Sequence, residues 1–216
     1  MPYIPEVDPT NGYEYVDLGL PSGLKWAKCN IGAEKESDYG LYFQWGDVVG
    51  YNKDQVGSGE GKKHFSWSDY KYCNGTYTSL TKYCTNSYYG TVDNKTVLEP
   101  SDDAATVNMG GCWRIPSKEE YNELLNNTTN QTHYVDGVPG RLFISKINNN
   151  TLFFPLSGRA SEGGIYKTKE QGNYWSCSLK NPLDNGSCCL TFDYSGYCST
   201  TYSDRYYGYS VRGIFG

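Results

Sequence analysis

The residues of this 216-residue chain able to do chemistry are few: cysteines at 29, 73, 84, 112, 177, 188, 189 and 198, histidines at 64 and 133, and the acidic run Glu99-Pro100-Ser101-Asp102-Asp103. Thiols serve as nucleophiles, metal ligands or disulfide partners, but no Cys-x-x-Cys occurs and neither histidine lies near a cysteine pair, which speaks against zinc. Only Cys73 and Cys84 are locally suited to a bridge, because the intervening Asn74-Gly75 lets the chain turn back. The plainer expectation is small buried or half-exposed thiols. Cys188 and Cys189 would face opposite sides of a strand and so cannot share one neighbour. With two histidines in polar, loop-like stretches, no Ser/His/Asp set is credible. The acidic run has oxygens enough to hold Ca²⁺, yet Asp102 and Asp103 are better explained as caps of a short helix. No catalytic residue, metal site or cofactor is therefore expected.

The elements that would position these residues are short. Apolar residues make up 38% and charged residues 20% of the chain, enough for one core of ordinary size. No apolar run approaches a membrane span, and Met1–Glu6 has neither the basic nor the apolar region of a signal peptide. A leader trimmed away, or release by lysis inside a virus particle, would account equally for that. The net charge is −5, without a basic cluster longer than Lys62-Lys63-His64, which excludes an electrostatic footprint for nucleic acid. Twenty-two Tyr and 25 Gly suit turn-rich recognition surfaces better than helical enzymes.

Residues 1–12, with three prolines and an Asn-Gly, read as a tail or linker remnant, leaving one domain over 13–216. Tyr15–Leu20 and Leu24–Ala27 predict a short strand pair across Pro21-Ser22-Gly23, and Tyr42–Gly46 another aromatic strand. Residues 48–89 lack a clear period and are expected to form a long surface excursion. Ser117-Lys118-Glu119-Glu120 has the capping-box form and opens a helix carrying Tyr121, Leu124 and Leu125, while Asp102–Val107 suits a shorter one. Strands are expected at 141–145, 151–155, 174–178, 188–193 and 209–212. The fold class is α+β, with short twisted antiparallel strands, one or two helices and long loops.

One segment differs in composition from the rest. Lys, Glu, Gln, Met and Trp together supply one residue in five over 1–180 and none over 181–216. Those five types are the ones that no pyrimidine-ending codon encodes. Randomising the first two bases of such a codon yields Tyr, Ser, Cys, Asp, Gly, Thr, Phe, Leu, Arg and a few more, the alphabet of Asp184–Tyr207, and never a stop. A strand-rich C-terminus also favours Tyr and Thr, but three Cys and three Asp between 184 and 204 fit strands poorly.

The runs Tyr15–Ala27, Cys29–Ala33, Tyr39–Gly46, Leu98-Glu99-Pro100, Asp102–Ala105, Gly110–Pro116, Tyr174-Trp175-Ser176 and Gly208–Arg212 resemble, in order, those of the Fibrobacter succinogenes major paralogous domain family. That family is abundant in gut Bacteroidetes and their phages, and the resemblance implies a C-type-lectin-like fold over nearly the whole chain. The stretch between Tyr-Trp-Ser and Gly-Tyr-Ser-Val-Arg is similar to the variable region of diversity-generating retroelement target proteins. There, adenine-directed mutagenesis rewrites a binding surface while the scaffold stays fixed. The resemblance implies a ligand- or receptor-binding display protein without catalysis, outside the cell on a bacterial surface or a phage tail tip. Its partner would be a protein or glycan on a cell surface, with no nucleic acid and no membrane insertion, and the domain would act as a monomer or within a larger chain.

The variable region would span about 177–207, with displayed residues from about 184 onward. Leu190 and Phe192 alternate with Cys189, Thr191 and Asp193, so one face of that strand is expected to be buried and the other free to vary. The expected ligand-binding set is Asp184, Asn185, Cys189, Thr191, Asp193, Tyr194, Tyr197, Ser199, Thr201, Tyr202, Asp204 and Tyr207. Tyrosines make large amphipathic contacts with only two χ angles to immobilise. Arg205 and Tyr206 are left open between display and structural positions, whereas Trp113 and Trp175 are read as core.

Three rivals remain. Trp113–Ser117 echoes the Arg-Leu-Pro-Thr segment of formylglycine-generating enzymes, but Cys188, Cys189 and Cys198 lack that family's surrounding motif. Glu99-Pro100-Ser101 resembles the Glu-Pro-Asn calcium motif of sugar-binding C-type lectins, whose partner Trp-Asn-Asp is missing. A structural fimbrial or tail module would instead pack the Tyr-rich tail on a sister subunit.

Overall fold

The Ser117 hydroxyl accepts from the Glu120 amide (3.2 Å) while the Glu120 carboxylate accepts from the Ser117 amide (2.7 Å), closing the capping box that the sequence spells out. Helix α2 (Lys118–Asn127) starts there and buries Tyr121 and Leu124; the shorter α1 (Ala104–Met109) starts at Asp103, whose carboxylate accepts from the Thr106 amide at 2.9 Å. A computed structural model describes residues 8–216. Among these, the strands are β1 (Tyr15–Asp17), β2 (Lys25–Ala27), β3 (Thr128–Val135), β4 (Val138–Ser145), β5 (Thr151–Pro155), β6 (Arg159–Ser161), β7 (Gly164–Tyr166), β8 (Gln171–Leu179), β9 (Gly186–Asp193), β10 (Cys198–Asp204) and β11 (Ile214–Phe215). They pair antiparallel as β1-β2-β11, β3-β4-β5, β6-β7 and β8-β9-β10. The result is α+β, with antiparallel sheet predominating and few helices. No helix among the described residues is long and apolar enough to cross a membrane.

The β3-β4 hairpin turns at Asp136-Gly137, both with positive φ (50° and 77°), the turn that matches strand twist. β3 was not anticipated because it opens Thr-Thr-Asn-Gln-Thr-His, a polar run of which only Thr128 is buried. The strand expected at 209–212 is also absent as a regular element. Tyr209 instead bridges Phe43 and Ser210 bridges Tyr174, and β11 closes on β2 just beyond them.

Two apolar clusters meet at β9. One gathers Trp26, Tyr121, Leu124, Phe143, Phe154, Tyr174, Leu190 and Phe192; the other gathers Trp45, Trp113, Trp175, Tyr70, Tyr83, Tyr209 and Cys189. Trp113 and Trp175 are both core, as expected.

The excursion over 48–89 is not a surface loop: Phe65, Tyr70, Tyr72, Leu80, Tyr83, Cys84 and Tyr89 are buried. Irregular backbone can be buried only if its polar groups find partners, and carboxylates supply them. Asp69 accepts from the amides of His64, Phe65 and Ser66, and Asp93 from those of Tyr83 and Cys84. The tail reading of residues 1–12 falls partly outside the described residues. Of the remainder, Pro9–Asn11 are docked, with the Thr10 carbonyl accepting from Trp113 Nε1 at 2.7 Å and Asn11 Nδ2 donating to the Met109 carbonyl at 2.9 Å. All eight thiols are free, Cys73 and Cys84 included. Cys73 Sγ donates to the Trp67 carbonyl instead (2.9 Å).

Candidate ligand-binding surface

The register of β8-β9-β10 sorts its side chains between two faces. Thr191 lies opposite Asn173 and Ser199, and Cys189 opposite Trp175 and Thr201, so these six share a face. Leu190 and Phe192 share the other with Tyr174, Cys198 and Thr200 and enter the core beneath α2, where Thr200 Oγ1 donates to Asn122 Oδ1 at 2.8 Å.

The central position of β9 corrects the expectation of a free face. Cys189 is buried against Trp175 and Tyr209, and Thr191 is nearly so, its hydroxyl donating to Asn173 Oδ1 at 3.1 Å. That face packs on the second apolar cluster, so neither side chain is on display. Asp184 is a sharper correction: it is 0% exposed and accepts from the amides of Thr85 and Asn86 and from the Thr85 hydroxyl (2.5, 2.8 and 2.8 Å). It anchors the long excursion. A short polar residue in a Gly/Asn-rich turn gave no sign of a partner 99 positions away.

The remaining predicted residues reach the surface, in two groups at opposite ends of β10. In the β9-β10 hairpin, Tyr194 and Tyr197 are exposed, and the Tyr194 hydroxyl lies 2.9 Å from that of Tyr134. Asp193 organises this turn: its Oδ1 accepts from the Ser195 hydroxyl (2.7 Å) and from the amides of Ser195 and Tyr197 (2.9 and 3.1 Å). Those bonds, the Ser195 hydroxyl first, hold its carboxyl below the usual range. Ser199 and Thr201, half-buried, line the strand between the two ends.

At the far end, Asn185, Tyr202, Asp204 and Tyr207 line a cleft of ≈ 440 Å³. Tyr202 is 60% exposed, while Tyr207 lies parallel to the buried Tyr209 (centroids 6.0 Å, 11° between planes). Asn185 Nδ2 donates to Asp204 Oδ1 at 3.0 Å. Burial raises the Asp204 carboxyl, against the pull of Asn185 and Lys180.

Two cations on the walls were missed by sequence reasoning: Arg159, 4.9 Å from the Tyr207 ring centre, and Lys180, over the ring of Tyr202. Neither stands in a motif or a charge run. Arg205 and Tyr206 are structural. Arg205 is 0% exposed and Tyr206 is buried against Trp67 and Tyr207.

Among the described residues nothing at this surface activates a thiol. Burial pushes the Cys189 and Cys198 thiols up to about 11 and raises that of Cys188, the reverse of what a nucleophile needs. The acidic run is occupied: Glu99 and Asp102 pair with Lys82, Glu99 also with Lys95 (2.6 Å), and Asp103 caps α1 and accepts from the Ile115 amide (2.8 Å). Family models, curated proteins and solved structures give no match to this chain.

Proposed function

We propose that the chain is a binding module of C-type-lectin-like fold, without catalysis, whose β9-β10 hairpin, β10 and following residues form a surface diversified by a retroelement. In this reading it resembles target proteins of gut Bacteroidetes and their phages. It acts outside the cell, on a bacterial surface or phage tail tip, against a cell-surface protein or glycan. The observation that carries the reading is the coincidence of composition with exposure. The one stretch drawn wholly from the pyrimidine-ending alphabet also holds the exposed tyrosines Tyr194, Tyr197 and Tyr202, set on the hairpin and the edge strand of a sheet whose central strand is buried on both faces. Tyrosines so placed make hot spots against varied partners.

Deep sequencing of the codons for residues 181–216 across the source population tests it. Differences confined to exposed positions such as Tyr197, Ser199 and Tyr202, together with a nearby adenine-bearing near-copy, are the expected result. An invariant segment with no such copy leaves an ordinary binding domain and refutes diversification.

A further inference from the structure

We propose that the cleft between β6 and the end of β10 binds a carboxylate-bearing saccharide, with Arg159 and Lys180 as its anion anchors. The inference rests on the reading of this surface as ligand-binding and adds the ligand's chemical class. Arg159 carries it. Its Nε is buried without a hydrogen-bond partner, and among the described residues its guanidinium joins no ion pair. A guanidinium with its Nε unpaired and its Cζ 4.9 Å from the centre of the Tyr207 ring retains donors for a planar acceptor. Lys180, also outside any ion pair among the described residues, adds a second positive charge on the wall formed by Tyr202.

The rest of the lining narrows the choice. Among the described residues Asp204 is the one carboxylate there, and it would repel a phosphate dianion while accepting bonds from hydroxyls. The exposed ring of Tyr202, on the side away from Lys180, offers a face on which the C–H face of a pyranose can lie. One carboxylate, several hydroxyls and an apolar face together describe a uronic or sialic acid better than an acidic peptide, which has no pyranose face to lay on Tyr202. Arg159 and Lys180 also lie outside residues 181–216, so the anchor is constant while Tyr202, Asp204 and Tyr207 set the selectivity around it.

The test is calorimetric titration of the full chain with digalacturonate and with sialyllactose, beside their methyl esters and a Glu-Glu dipeptide. At least one acidic sugar should bind, its ester about tenfold or more weaker, and Arg159→Gln should lose about tenfold or more, as the removal of a charge-assisted bond does. Arg159→Met and Lys180→Met keep the aliphatic stems and should melt with the parent protein while showing the same loss. Binding of neither acidic sugar, equal binding of acid and ester, or full affinity in the Arg159 variants overturns the proposal, and equal binding of Glu-Glu overturns the saccharide class. An invariant tail by sequencing would refute diversification without touching the cleft, and loss of the cleft would leave the hairpin surface standing.

Discussion

Arg205 Nη1 donates to the carbonyl of Tyr83 at 2.7 Å, and its guanidinium lies between Trp45 and Tyr70, 5.2 and 5.3 Å from their ring centres. Nη2 donates to the Lys82 carbonyl at 3.0 Å, so the last turn of the variable stretch is tied to the excursion through the core. Arg205→Ala leaves these carbonyls unpaired in a buried space and should destabilise the fold by about 3 kcal/mol. Arg205→Lys should not restore it, because an ammonium cannot present the planar fork. Chemical denaturation of the two variants checks both.

Asp184 and Tyr197 separate anchoring from display. Asp184→Ala removes the acceptor of two amides and a hydroxyl and should cost about 2 kcal/mol. Tyr197→Ala, at an exposed hairpin position, should change stability by less than about 0.5 kcal/mol. It should weaken binding to a cell-surface ligand by about 1–3 kcal/mol. Parallel melts and cell-binding assays read both, and a comparable melting loss for Tyr197→Ala would remove it from the displayed set.

Asp102 should confer an acid-labile component of stability. Burial alone would raise its carboxyl, but bonds from Lys82, Tyr72 and Tyr83 outweigh that and bring it to about 2, below its unfolded value of 3.8. A depressed folded value contributes stability that is fully present above the unfolded value and disappears as pH falls through the folded one. The stability difference between the parent protein and Asp102→Asn should therefore be constant above about pH 5 and shrink between about pH 4 and 2. Urea titrations across that range measure it, and a difference independent of pH contradicts the ion pair.

Thiol chemistry should follow burial. Under native conditions Cys112, the exposed cysteine, should react with a maleimide first, while Cys177, pushed up to about 12 by burial, and Cys189 stay unlabelled until the chain unfolds. After denaturation without reductant, all eight should alkylate. Mass spectrometry counts the adducts, and a missing pair would reveal a disulfide.

Features written in neighbouring residues were legible in the sequence. The box of Ser117 and Glu120 fixes the start of α2, and the alternation of Leu190 and Phe192 marks one of the two faces of β9 that are buried. What failed depended on partners far along the chain. The order of residues 48–89 rests on Asp184 and Arg205, about a hundred positions away, as well as on its own Asp69 and Asp93. No local pattern records such bonds. The polar face of β9 was misjudged because period-two alternation tells which residues share a face, not whether a distant segment such as that of Tyr209 packs on it. At the cleft, composition pointed to Tyr202, Asp204 and Tyr207, whereas Arg159 and Lys180 join them only through the folding of separate strands.

The tail thus interleaves positions of very different tolerance. Tyr202 stands 60% exposed three residues before Arg205, which is 0% exposed, and Arg212, equally buried, holds the carbonyls of Ala27 and Phe153. A library randomised evenly over 181–216 would therefore not lose yield gradually. It would divide into folded and unfolded members according to what stands at 184, 205 and 212, and the folded fraction would be set by the number of such clamps, whatever the number of sites varied.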